Sequence, residues 1–144
     1  MTPPASAARP RLFSMLHAAH AVEDEVETNL NEMGLSTAKL AALNALAEAG
    51  DALPLSQLAG KLSCVKSNIT QLVDRLEADG LVARRLDPGD RRTKLAALTT
   101  AGRKAAKDGM RVMDATERDV LNRLTHDEAH QLHALLGKMG NGTG

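Results

Sequence analysis

Two adjacent arginines, Arg91 and Arg92, follow a Pro88–Gly89 turn and stand next to Asp87 and Asp90 in the stretch LDPGDRRTKLAALT, residues 86–99. Guanidinium groups projected from a tight turn suit pairing with anionic oxygen, phosphate above all. The flanking acids can hold the guanidinium planes in one orientation by bidentate pairing. A second polar group lies upstream in KSNITQ, where Lys66, Ser67, Asn68, Thr70 and Gln71 are short, amide or cationic side chains. On the N-terminal half of a helix, such residues can meet phosphates and base edges, helped by free backbone N–H groups. Arg75 lies one turn further on; it either meets phosphate or pairs with Asp74 or Asp79. Arg84 and Arg85 are consecutive on a strand-like run, so at most one of them faces the same anion.

Other residues with chemical capacity have blander readings. Cys64 sits beside Lys66 near the start of a helix, a setting that can make a thiol reactive, yet a small apolar filler of the turn is the expected role. His17 and His20 share a helix face with Asp24 and Glu27, while His126, His130 and His133 flank a late apolar stripe. His-x-x-His beside a carboxylate can bind zinc, but no metal and no cofactor is expected. There is no phosphate loop, no activated serine context and no Cys-His pair at motif spacing, so an enzyme is not expected.

These residues need elements to carry them. The 144 residues suit one domain. Hydrophobic residues make up 43%, mostly Ala and Leu, with one Phe and neither Trp nor Tyr, which favours helix over sheet. The formal charge is zero, but residues 55–94 carry eight bases against five acids, a net of +3, whereas residues 1–54 net −4. This asymmetry marks the middle of the chain as the part that meets anions. A single cysteine and the lack of an apolar run near the roughly 18–20 residues of a membrane span point to the cytoplasm and to no membrane partner.

Apolar residues at steps of three and four predict a helix over residues 12–30 and a second one capped by Ser36. DALP is a turn or a very short strand. Ser56 is expected to cap a short helix, followed by a tight connection and a helix from about residue 66 to 79 with Ile69, Leu72, Val73 and Leu76 inward. Gly80 ends it, and LVARRLD and RTKLAALT flank the Pro-Gly turn as a β-hairpin. Thr99 or Thr100 caps a long helix, and Thr125 with Glu128 forms a capping box for the last one, whose apolar face is Ala129, Leu132, Leu135, Leu136 and Met139. The fold class is thus mostly α with a small β-hairpin wing (α+β). Residues 1–10 are a flexible lead-in, and residues 11–139 form the domain.

LSQLAGKLSCVKSNITQLVDRLEADGLVARR and DPGDRRTKLAALTTAGR together resemble the MarR family of winged helix-turn-helix transcriptional regulators, over roughly residues 12–139. The resemblance implies a winged helix-turn-helix lobe at about residues 36–99, with dimerisation helices at about 11–32 and 100–139. It implies a cytoplasmic homodimer that acts as a repressor of a pseudo-palindromic double-stranded DNA operator, released by a small molecule or another signal. Lys66, Ser67, Asn68, Thr70, Gln71, Arg75, Arg91 and Arg92 would contact DNA, with Arg92 the wing-tip arginine in the minor groove. Asp87, Pro88, Gly89 and Asp90 would shape the wing turn. Phe13, Leu16 and His17 would line an effector pocket. Gln71 stands where some members carry arginine; because Gln favours adenine, their operator preference does not transfer. The N-terminal peroxide-sensing cysteine of one branch is missing. The alternatives are a winged-helix protein-interaction module without DNA binding, or a redox- or metal-sensing regulator.

Overall fold

The computed structural model describes residues 11–62 and 68–141. In these residues the chain runs α1 (Leu12–Asn31), α2 (Thr37–Glu48), β1 (Ala52–Pro54), α3 (Leu55–Lys61), α4 (Ile69–Ala78), β2 (Val82–Asp87), β3 (Asp90–Leu98), α5 (Thr100–Leu121) and α6 (His126–Asn141). Local sequence accounts for most of the boundaries. Ser36 caps α2 by accepting from the Lys39 amide at 3.1 Å, and Thr99 caps α5 by accepting from Gly102 at 3.0 Å. The capping box of α6 is complete: the Glu128 carboxylate accepts from Thr125 N–H at 2.8 Å, and the Thr125 hydroxyl accepts from Glu128 N–H at 3.1 Å. Its depressed Glu128 pKa follows first from the Thr125 backbone N–H and then from the Thr125 side chain.

Two expected boundaries differ. Ser56 does not cap α3: it lies inside the helix, and Pro54, the last residue of β1, is the N-cap. A cap must stand outside the helix in an extended conformation, and the strand ending at Pro54 supplies that conformation. The next helix starts at Ile69 rather than near residue 66, because Asn68 is its cap.

The sheet is antiparallel in the order β1-β3-β2, so β3 is central and β2 is an edge. Leu53 pairs with Ala96 on one side of β3, and Arg84 pairs with Ala96 on the other. Leu40, Leu43 and Leu46 from α2, Leu58 from α3, Val73 and Leu76 from α4, and Val82 from β2 are almost wholly buried in one core. α5 crosses α2 at close range: a Cβ on Gly109 would lie 2.6 Å from Leu40 Cδ1 and 2.9 Å from Leu35 Cδ1. Gly102 allows a tighter approach, since a Cβ there would lie 1.9 Å from the Leu81 carbonyl oxygen. The glycine of the TTAGR segment is thereby explained by contact between α5 and the base of the hairpin. Thr116, buried on α5, is fully paired: it donates to Val112 O at 2.8 Å and accepts from Asn29 Nδ2 at 2.8 Å.

α1 and α6 are different. The apolar faces expected to be buried on them stand open in the single chain, with Phe13 84% exposed, and Leu16, Leu135, Leu136 and Met139 each more than half exposed. Among the described residues, no helix is long and apolar enough to cross a membrane.

Candidate nucleic-acid interface

α4 is built as an amphipathic reader. Leu72, Val73 and Leu76 bury one side against α2 and α3, which turns Thr70, Gln71, Asp74, Arg75 and Glu77 to solvent. Asn68 Oδ1 accepts from the Thr70 amide at 3.0 Å and the Gln71 amide at 3.3 Å, so its carbonyl serves the helix end. Thr70 and Gln71 occupy the first exposed turn. Lys66, Ser67 and Cys64 lie outside the described residues.

The hairpin presents the wing. Its two-residue Pro88–Gly89 turn joins β2 to β3, and Asp87 Oδ1 accepts from Gly89 N–H at 2.9 Å. Asp90 Oδ1 accepts from Arg92 N–H at 3.0 Å, and Oδ2 accepts from the Thr93 hydroxyl at 3.3 Å. This corrects the expectation that these acids orient the arginine side chains. Short carboxylates at a turn reach the backbone one or two residues on more readily than a guanidinium, which hangs from a long, free stem. Among the described residues, neither Arg91 nor Arg92 has an ion pair, and both are exposed.

The three acids on and just after α4 are engaged by two cations. Arg84 Nη2 meets Asp74 Oδ1 at 2.6 Å and Arg84 Nη1 meets Glu77 Oε1 at 2.8 Å, while Lys39 Nζ meets Asp79 Oδ2 at 2.8 Å. The hydrogen bond with Asp74, more than the one with Glu77, holds the Arg84 guanidinium above its ordinary value. The partners open to Arg75 are therefore taken, and among the described residues Arg75 has no ion pair. Sequence reasoning named Arg84 but missed its pairing with Asp74 and Glu77. The signal was present in the strand period: Arg84 falls on the same face as buried Val82, toward α4, and Arg85 on the opposite one.

The other candidates are not assembled within one chain. Phe13, Leu16 and His17 lie exposed along α1. His17, His20, Asp24 and Glu27 lie along one face of α1, but Glu27 is engaged by the neighbouring helix, accepting from the Thr37 amide and hydroxyl. His20 lies 3.8 Å from Glu23, and His126, His130 and His133 are exposed on α6. Among the described residues, no three His, Cys, Asp or Glu side chains are placed to hold a metal ion.

A short helix and an amphipathic second helix packed under a three-stranded sheet with a projecting hairpin define a winged-helix protein. Residues 35–94 match the MarR family model. The HTH-type transcriptional regulator YcgE of Bacillus subtilis is 34% identical over 106 residues, covering 74% of this chain and 68% of the relative. An HTH-type transcriptional repressor of Mycobacterium bovis is 30% identical over 117 residues, 81% of this chain and 84% of its own. The crystal structure of CouR from Rhodococcus jostii RHA1 bound to p-coumaroyl-CoA superposes with a TM-score of 0.72 at 29% identity, over 92% of each chain. The chain belongs to the MarR family, whose members are transcriptional regulators and not enzymes.

Proposed function

We propose that the protein is a homodimeric, sequence-specific DNA-binding repressor whose hold on a pseudo-palindromic operator is released by a small molecule. One observation carries the reading: the acids of the lobe are engaged within the chain, whereas Arg75 of α4 and all the wing bases but Arg84 are exposed without ion pairs among the described residues. Asp74 and Glu77 are held by Arg84 and Asp79 by Lys39, and Asp87 and Asp90 serve the turn. Arg75, Arg85, Arg91, Arg92 and Lys94 are exposed and, among the described residues, without ion pairs. An electroneutral chain thus offers a local cationic surface to a polyanion.

In this reading α4 enters the major groove, with Thr70 and Gln71 at base edges and Arg75 at phosphate, and the wing places Arg92 in the minor groove. Lys66, Ser67 and Asn68, which precede α4 in the sequence, contribute contacts to the DNA backbone. A second copy covers the open faces of α1 and α6, since exposed apolar surface of that extent is unusual on a monomer. Phe13, Leu16 and His17 then line an effector pocket once the partner helix walls them in. CouR, with its bound p-coumaroyl-CoA, supports a small-molecule signal, and the mycobacterial relative supports the sign of regulation. A DNA-binding role of this kind fits a cytoplasmic protein.

The test is binding to the DNA upstream of the protein's own coding sequence, in a salt series, beside light scattering of the free protein. Tight, sequence-dependent binding by a dimer, with affinity falling steeply as salt rises, is expected. A folded dimer that binds no DNA at low salt would instead favour a protein-interaction module.

A further inference from the structure

The inner half of the hairpin is fixed through β3, which pairs with β1 as far as Leu95↔Pro54 and is buried from Leu95 to Leu98, whereas β2 is an edge strand tied down at its base. Val82 is buried, Thr99 N–H donates to Leu81 O at 3.1 Å, and the Thr99 hydroxyl donates to Gly80 O at 2.7 Å. Beyond that base, Leu86 is 54% exposed, and Arg91 and Arg92 stand in solvent. On β2 itself, one further attachment lies between base and tip. Arg84 bridges Asp74 and Glu77 on α4, and its Nη2 also reaches Thr70 O at 3.4 Å. Because β2 is an edge strand, the Arg84 amide points away from β3, and Glu77 Oε2 accepts from it at 3.2 Å. Backbone and side chain of one strand residue are therefore both tied to α4.

From these contacts we infer that Arg84 is a positioning residue that braces the wing against α4, so that the two DNA-reading elements are presented as one rigid unit. The inference rests on the DNA-binding reading above for its consequence, but not for its geometry. The turn lies about four residues beyond Arg84, roughly 13 Å at strand rise. A tilt of about 10° about Arg84 would therefore move it by about 2 Å, enough to break a hydrogen bond in the groove. Two carboxylates on one helix, gripped by a planar fork, resist such a tilt better than any single contact.

The deciding variant is Asp74→Asn/Glu77→Gln, which leaves Arg84 and every wing arginine in place. It removes two negative charges from the face meant for a polyanion, so charge alone would make DNA bind more tightly. Loss of the brace makes it bind more weakly, on the order of tenfold. In a double-mutant cycle, Arg92→Ala should cost less in this background than in the parent protein, because a loose wing already forfeits part of that contact.

A readout without DNA accompanies the cycle. Spin labels at Ala78→Cys and Leu86→Cys in a Cys64→Ser protein, mixed with excess unlabelled chain, report the spread of distances between α4 and the hairpin. A narrow spread in the parent that broadens in the variant, with the melting midpoint and dimer intact, is expected. An unchanged spread, an unchanged or tighter affinity, or an Arg92→Ala cost that is the same in both backgrounds would overturn the inference. If the parent binds no DNA, the proposed function fails, and the distance spread still decides whether Arg84 is a brace.

Discussion

In the winged lobe Leu58, Val73 and Leu76 are fully buried and each acid has a partner within the chain, whereas along α1 and α6 Phe13, Leu135, Leu136 and Met139 face solvent. Both regions are amphipathic helices by sequence, so pattern alone does not distinguish them. The difference is in what each apolar stripe meets. α4 meets α2, α3 and the sheet within about 60 residues of chain, while α6 follows α5 at the far end, and its apolar face meets little of this chain. In the proposed reading, a lobe complete in one chain reads DNA, and the helices left open bring a second copy to it.

The sharpest way to break this comparison is the same truncation on each side. Leu76→Ala removes a fully buried side chain and should cost about 2–5 kcal/mol of folding stability in urea unfolding. That loss should be the same at every protein concentration beyond the dependence the parent already shows. Leu135→Asp, on the open face of α6, should instead yield a folded monomer at micromolar concentration by sedimentation and lose tight operator binding. A Leu135→Asp protein that stays dimeric would place the interface elsewhere.

At the junction of the two regions, Gly102→Ala pushes a methyl group against the Leu81 carbonyl, which is backbone and cannot swing aside. A destabilisation of about 1–3 kcal/mol or more is expected from overpacking, read as a lowered melting midpoint with the hairpin-base amides around Leu81 and Thr99 losing hydrogen-exchange protection.

The smallest effect belongs to the outer region alone. Thr125 lowers the Glu128 pKa in the folded state. The cap is therefore fully present above the ordinary glutamate range and is lost as pH falls through the lowered folded value. Helicity should decline modestly on acidification from pH 6 to pH 3, and Glu128→Gln should reduce helicity at neutral pH while changing the acid end little. A Glu128→Gln profile that overlays the parent throughout would mean that the cap contributes nothing.

Much of the fold was legible because its determinants are local. Ser36, Thr99 and the Thr125–Glu128 pair each act within three residues, and the stripes of α1 and α4 repeat at helical spacing. Ser56 misled because the neighbouring Pro54 already provides the extended residue before α3. The pairing of acids was not legible. Arg84 reaches Asp74 across ten residues and Lys39 reaches Asp79 across forty, and both contacts exist only once the hairpin and α2 are docked on α4. Asp87 and Asp90 were legible as wing residues but not in their role, since a carboxylate beside an arginine can equally well serve the backbone.

The central claim is that α4 and the wing together form a DNA-reading surface, and two variants on one operator test it most directly. Folding and dimerisation are checked first, and binding is then followed through a salt series. Arg92→Ala should weaken binding by about 1–3 kcal/mol and reduce the magnitude of the salt slope by about one. Gln71→Ala should relax base preference at one position per half-site and leave the slope nearly unchanged. An Arg92→Ala protein with unaltered affinity and slope would make the wing a solvated hairpin and contradict the account.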